Sequence, residues 1–130
     1  MTTDAARSTP ADLLFAKDAG VASQRVPVNM FETAEAVVLV APMPGVSSED
    51  VEVTVELDRV HVHAALRTAA PKEYLLHEWD YGSFDRSIDL PGVHAGPITA
   101  TLGKGQLAVS IARDGGRVEG TRVVIHPTQV

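Results

Sequence analysis

Ile98-Thr99-Ala100-Thr101-Leu102-Gly103-Lys104-Gly105-Gln106-Leu107-Ala108-Val109-Ser110-Ile111 contains two strands and the turn between them. Ile98, Ala100 and Leu102 alternate with Thr99 and Thr101; Leu107, Val109 and Ile111 alternate with Ala108 and Ser110. Alternation of period two marks a strand with one face in a core and the other in water. Gly103 and Gly105 supply the positive φ of a tight hairpin, and Lys104 keeps the tip solvated. The pattern predicts a hairpin at the edge of a sandwich, with the C-terminus of the chain docked beside it.

The same rhythm extends upstream. Val51, Val53, Val55 and Leu57 alternate with Glu52, Thr54 and Glu56, a strand with one wet face. After a turn at Asp58-Arg59, Val60, Val62 and Ala64 alternate with His61 and His63. Phe84 to Asp89 is another alternating strand, stopped by Pro91-Gly92. Ala36 to Ala41 is a continuous apolar run, too short for a typical helix and rich in valine, so it reads as a central strand. Val28 to Glu32 is a short mixed strand entered from Pro27. Ser47 to Asp50 suits one helical turn. Glu73 to Asp80 is compatible with a helix by propensity and with a strand by its aromatics. Seven to nine short strands and no long periodic helix predict an all-β, immunoglobulin-like antiparallel sandwich.

The two ends differ from this body. Residues 1–25 form an arm of Ala, Ser, Thr and Asp with one apolar cluster, Leu13-Leu14-Phe15. Thr9-Pro10-Ala11-Asp12 has the form of a helix start, which predicts a short helix from Pro10 to about Lys17. Residues 26–112 are the sandwich. Residues 113–130 are an extension in which Gly115, Gly116 and Gly120 make 113–122 a flexible tether. Val123 and Ile125 follow it, two apart and therefore on one side of an extended strand.

Composition excludes several functions. The 130 residues carry a formal charge of −6, which disfavours nucleic acid and anionic membrane as partners. No cysteine is present, so disulfides, thiolate catalysis and cysteine-bound metals are ruled out. No apolar run reaches signal-peptide or membrane-span length, and a cytoplasmic protein is the expectation. His61 and His63 have a spacing that can chelate zinc or copper, but no third ligand is evident, and a solvated face opposite Val60 and Val62 is the simpler reading. His77 beside Glu78 and Asp80 has no accompanying nucleophile. Tyr74, Trp79 and Tyr81 suit a dimer contact better than a sugar-stacking platform. No cofactor, metal or catalytic residue is expected.

Several stretches in order resemble the α-crystallin domain of the small heat-shock proteins. Pro44-Gly45-Val46 and Glu49-Asp50-Val51 resemble its LPGV…EDI segment, with Met43 in place of the leucine. Tyr81 to Arg86, continuing to Leu90-Pro91, resembles its YGSFxR…LP stretch. Ala100, Gly105 and Leu107 fall at the spacing of its A-x-x-x-x-G-x-L signature, and Val123-x-Ile125 resembles its C-terminal anchor. Pro42 and Asn29 depart from the acidic residues usual there, the 64–65 pair is Ala-Ala where Gly-Glu is common, and the 67–72 loop is short.

The resemblance implies an ATP-independent holdase that binds unfolded client proteins and works as a dynamic oligomer. It implies a dimer by strand exchange, with Tyr74, Leu75, Leu76 and Trp79 lying on the partner's first strand near Val28 and Met30, and with Arg86 near the contact. It implies that Val123 and Ile125 dock on another subunit, in a groove between Val51, Val53 and Val55 on one side and Ile98, Ala100 and Leu102 on the other. Leu13, Leu14 and Phe15 are candidates for client binding. The alternatives are a sandwich-type co-chaperone, which usually ends in an acidic tail that this chain lacks, and a small-ligand module, which would have no use for the anchor.

Overall fold

A computed structural model describes residues 24–65, 73–78 and 83–130. Among the described residues ten strands form in chain order: β1 (Gln24–Arg25), β2 (Asn29–Glu32), β3 (Ala36–Pro42), β4 (Val51–Val55), β5 (Arg59–Ala64), β6 (Phe84–Asp89), β7 (Ile98–Gly103), β8 (Gln106–Ala112), β9 (Val123–Ile125) and β10 (Thr128–Gln129). They make two five-stranded sheets, one in the order β1-β6-β5-β4-β9 and the other β10-β7-β8-β3-β2. A 3-10 turn at Ser48–Asp50 leads into β4.

Alternation decides which side chains meet between the sheets. Val51, Val53, Val55, Val60, Val62, Ala64 and Phe84 point inward from the first sheet. Val37, Leu39, Ala41, Ala100, Leu102, Leu107, Val109 and Ile111 point inward from the second. Fully burying one such valine or leucine is worth about 1.5–3 kcal/mol. The intervening positions are half-buried or exposed, so a one-residue slip of any strand would invert its faces.

The hairpin that dominates the sequence pairs Ile98 with Ile111 and Gly103 with Gln106. Its two-residue loop is Lys104-Gly105, and the positive φ values fall there, at 52° and 75°. This corrects the expectation that both flanking glycines carry positive φ: a two-residue hairpin of the type I′ kind needs it at both central positions. Gly103 ends β7 and serves close approach instead, since a Cβ on it would lie 2.5 Å from Val130 Cγ2.

Residues 73–78 adopt neither helix nor strand and are exposed throughout, although propensity offered both. The arm cluster Leu13-Leu14-Phe15, the expected helix around Pro10, and Trp79 and Tyr81 lie outside the described residues. Among the described residues no helix is long and apolar enough to cross a membrane.

Candidate functional site

The two ends of the sandwich treat their edges differently. At one end, β4 and β7 are the strands next to last in their sheets, and the C-terminal segment completes both. β9 pairs antiparallel with β4, setting Ile125 opposite Val53 and Val123 opposite Val55. The chain then crosses between the sheets at buried Pro127. β10 pairs parallel with β7, setting Thr128 opposite Thr101 and Gln129 opposite Leu102. The Leu102 carbonyl accepts from the Val130 N–H at 2.9 Å and from Gln129 Nε2 at 2.9 Å. His126 Nδ1 lies 2.7 Å from the Val51 carbonyl.

Val123 and Ile125 are half-buried and Val124 is 52% exposed, so the two residues singled out in the sequence share the inward side. Ile125 packs against the core. Within the one chain, the anchor residues lie opposite Val53 and Val55 and share a hollow with Ile98, His126 reaches Val51 and Gln129 reaches Leu102, while Ala100 is buried in the core. In this single chain the anchor lies on its own groove, and residues 113–122 lead to it.

Those residues are a strap rather than a loose tether. The Arg113 N–H donates to Glu35 O at 2.7 Å, and Arg113 O accepts from the Ala95 N–H at 3.1 Å. Gly115 lies so close to the β6–β7 connection that a Cβ on it would sit 2.4 Å from Gly96 Cα. The Arg117 guanidinium then reaches three backbone carbonyls from two parts of the fold: Gly96 O through Nε at 3.0 Å, Glu56 O through Nη1 at 3.5 Å, and His94 O through Nη2. The Arg117 N–H also donates to Ala95 O at 3.1 Å. Desolvation by burial holds the Arg117 pKa below its ordinary value. A guanidinium stays charged under such a shift and keeps its fork of donors. His94 beneath it is 2% exposed, with Nδ1 3.1 Å from Gly92 O. Sequence reasoning missed Arg117, because glycines on both sides masked it; the available signal was an arginine directly after a Gly-Gly pair.

Among the described residues the other end is open. β2 is an outer strand of its sheet, and all four of its residues are exposed, with Met30 at 42% and Phe31 at 53%. Val28, just before it, is half-buried against the core. Tyr74, Leu75 and Leu76 are exposed as well, Leu75 completely, and Tyr74 stacks on His77 with ring centroids 4.4 Å apart. Arg86 sits on β6 and donates from Nη1 to the Val26 carbonyl at 2.9 Å.

His61 and His63 project from the wet face of β5 onto β6. His61 Nε2 lies 3.0 Å and His63 Nδ1 3.2 Å from the same oxygen of Asp85, and His61 Nδ1 is 2.8 Å from Ser87 Oγ. Among the described residues no group of three or more His, Asp or Glu side chains is arranged to hold a metal ion.

A family model described as the Hsp20/alpha crystallin family matches residues 29–126. The spore protein SP21 of Stigmatella aurantiaca (strain DW4/3-1) is 35% identical over 86 residues, covering 63% of this chain and 51% of that protein. The chain therefore spans about half the length of this curated relative. Among solved structures, HSP18.5 from E. histolytica matches with a TM-score of 0.58 at 20% identity, over 75% of this chain and 97% of that one. Heat shock protein 16.0 from Schizosaccharomyces pombe matches at 0.59 and 21%, over 79% and 76%. A small heat-shock protein from Xylella fastidiosa matches at 0.57 and 24%, over 77% and 95%. At these identities the structural likeness establishes a shared fold.

Proposed function

This chain belongs to the Hsp20/alpha crystallin family, and we propose that it is an ATP-independent holdase that binds partly unfolded proteins and keeps them from aggregating. The observation that carries this reading is the apolar surface left uncovered on β2 and on residues 73–78. Met30, Phe31, Leu75 and Leu76 stay exposed on a chain whose alternating strands already supply a complete core. Apolar side chains beside an unpaired strand edge favour association with another extended chain.

The first such chain is a second copy. Tyr74, Leu75 and Leu76, with Trp79 continuing the segment, add to the partner's β2 beside Val28 and Met30, and Arg86 stands near that contact. Larger assemblies form when Val123 and Ile125 of one chain enter the β4–β7 groove of another. Backbone pairing supplies the adhesion and two side-chain pockets the selectivity. Each contact is weak, and linkage within the assembly closes many at once. Apolar surface is thereby exposed and recovered without a nucleotide, and Leu13, Leu14 and Phe15 of the arm 1–25 contribute to client capture.

The test is a light-scattering assay of a heat- or reductant-unfolded client, with no ATP present. Stoichiometric amounts of the protein are expected to suppress turbidity. No protection at those ratios would end the holdase reading. Ile125→Glu is expected to reduce the assembly toward dimers in size exclusion.

A further inference from the structure

The anchor has one groove on its own chain and an identical groove on every copy, so what selects between them is the length of free chain before Val123. Arg117 controls that length. With its guanidinium seated on Gly96 O, Glu56 O and His94 O, only residues 118–122 separate a fixed point from the anchor. Six steps of extended chain span at most about 20 Å. With Arg117 released, the free chain starts at Arg113, whose backbone stays bonded to Glu35 and Ala95 after β8 (Gln106–Ala112), and ten steps reach about 33 Å. The strap is built to lie flat, since a side chain at Gly115 would collide with Gly96. The contact it guides is also incomplete. Val123 and Ile125 are only half-buried, and an apolar hollow of about 430 Å³ lies between them, the strap and Ile98.

We propose that Arg117 is a latch: seated, it restricts the tail to the groove of its own chain; released, it lets the same tail reach the groove of a second copy. The inference rests on the reading that this groove is an assembly contact. It makes residues 113–117 a regulator of assembly size, separate from the anchor residues themselves. The partition between closed and linked chains then depends on three carbonyl contacts, and a lysine cannot reproduce them because it lacks the planar fork.

The absence of native cysteine permits a clean test. Thr54 and Val124 face each other in the β4–β9 register. In Thr54→Cys/Val124→Cys, a disulfide within one chain reports docking on its own groove, and a ladder of linked chains on a non-reducing gel reports exchange. With Arg117 present, the intrachain form is expected to dominate. Adding Arg117→Met is expected to raise the interchain fraction at least about fivefold, as the effective concentration advantage of the short tether is lost. In the cysteine-free background it should raise the mean mass at fixed concentration about twofold or more, as chains become linked in pairs and beyond. Arg117→Lys should do the same and serves if the methionine variant fails to fold, with a melting curve as the check.

An unchanged partition in both variants would overturn the latch, as would a predominantly interchain disulfide with Arg117 intact. The assembly reading fails separately: Ile125→Glu in the Arg117→Met background would then leave the mass unchanged, while the disulfide partition still reports whether Arg117 governs reach.

Discussion

The closed and open ends of this sandwich are made of similar material. β4 and β7 at one end and β2 at the other are short strands with valine, isoleucine or aromatic neighbours. At the closed end the chain's own tail supplies two more strands, and inward residues such as Val53 and Val55 are completely buried. At the open end β2 has, among the described residues, a strand on one side only and exposes all four side chains. The difference shows that exposure in this molecule follows which edge already has a strand beside it rather than how apolar a stretch is.

Substitutions can break that contrast, beginning where the effect is greatest. Val53 is fully buried beneath Ile125 in the register, so Val53→Asp places an unpaired charge in the core. A loss of more than about 4 kcal/mol is expected, visible as an unfolded protein in circular dichroism. Leu75→Ser/Leu76→Ser in the exposed 73–78 segment should do the reverse. It leaves the protomer's own stability within about 0.5 kcal/mol, because neither side chain is buried. It should halve the mass of the dimer in light scattering, and an unchanged mass would remove residues 73–78 from the contact. At the closed end Ile125→Ala should cost about 1–2 kcal/mol in denaturant titration, below the ~2–5 kcal/mol of a fully buried isoleucine. Gly105→Ala forces a Cβ into φ +75° at the hairpin tip and should cost about 1 kcal/mol in the same titration. Arg59→Ala removes an exposed pair with Asp89, 3.2 Å apart, and should shift stability by no more than about 0.5 kcal/mol.

Much of the fold was legible in advance because strand alternation is local. Val51 to Leu57, Val60 to Ala64, Phe84 to Asp89 and the 98–111 hairpin each carry their own inward and outward faces, and each became a strand within two residues of the expected bounds. The helical turn at Ser47 to Asp50 was readable from its polar run. Glu73 to Asp80 was not decidable: its described part has no strand partner in its own chain, and propensity without a partner specifies neither state. β1 and β10 were missed because two-residue strands have too few positions to show alternation.

The candidate site divides in the same way. Val123 and Ile125 could be chosen from the sequence, since residues two apart on an extended strand share a side whatever they dock against. Where they dock could not. Gly115, Gly116 and Gly120 read as flexibility because glycine broadens the conformations open to an isolated chain. In the folded protein, Gly115 instead permits backbone to approach backbone, and Arg117 finds carbonyls 21 and 61 residues away in sequence. The sequence by itself determined which side chains face the core, a property of neighbours two residues apart. Only the tertiary structure decided which edges were filled and by whom, because a backbone hydrogen bond at a sheet edge is indifferent to the side chains that advertise a strand and depends on which segment is held close enough to make it.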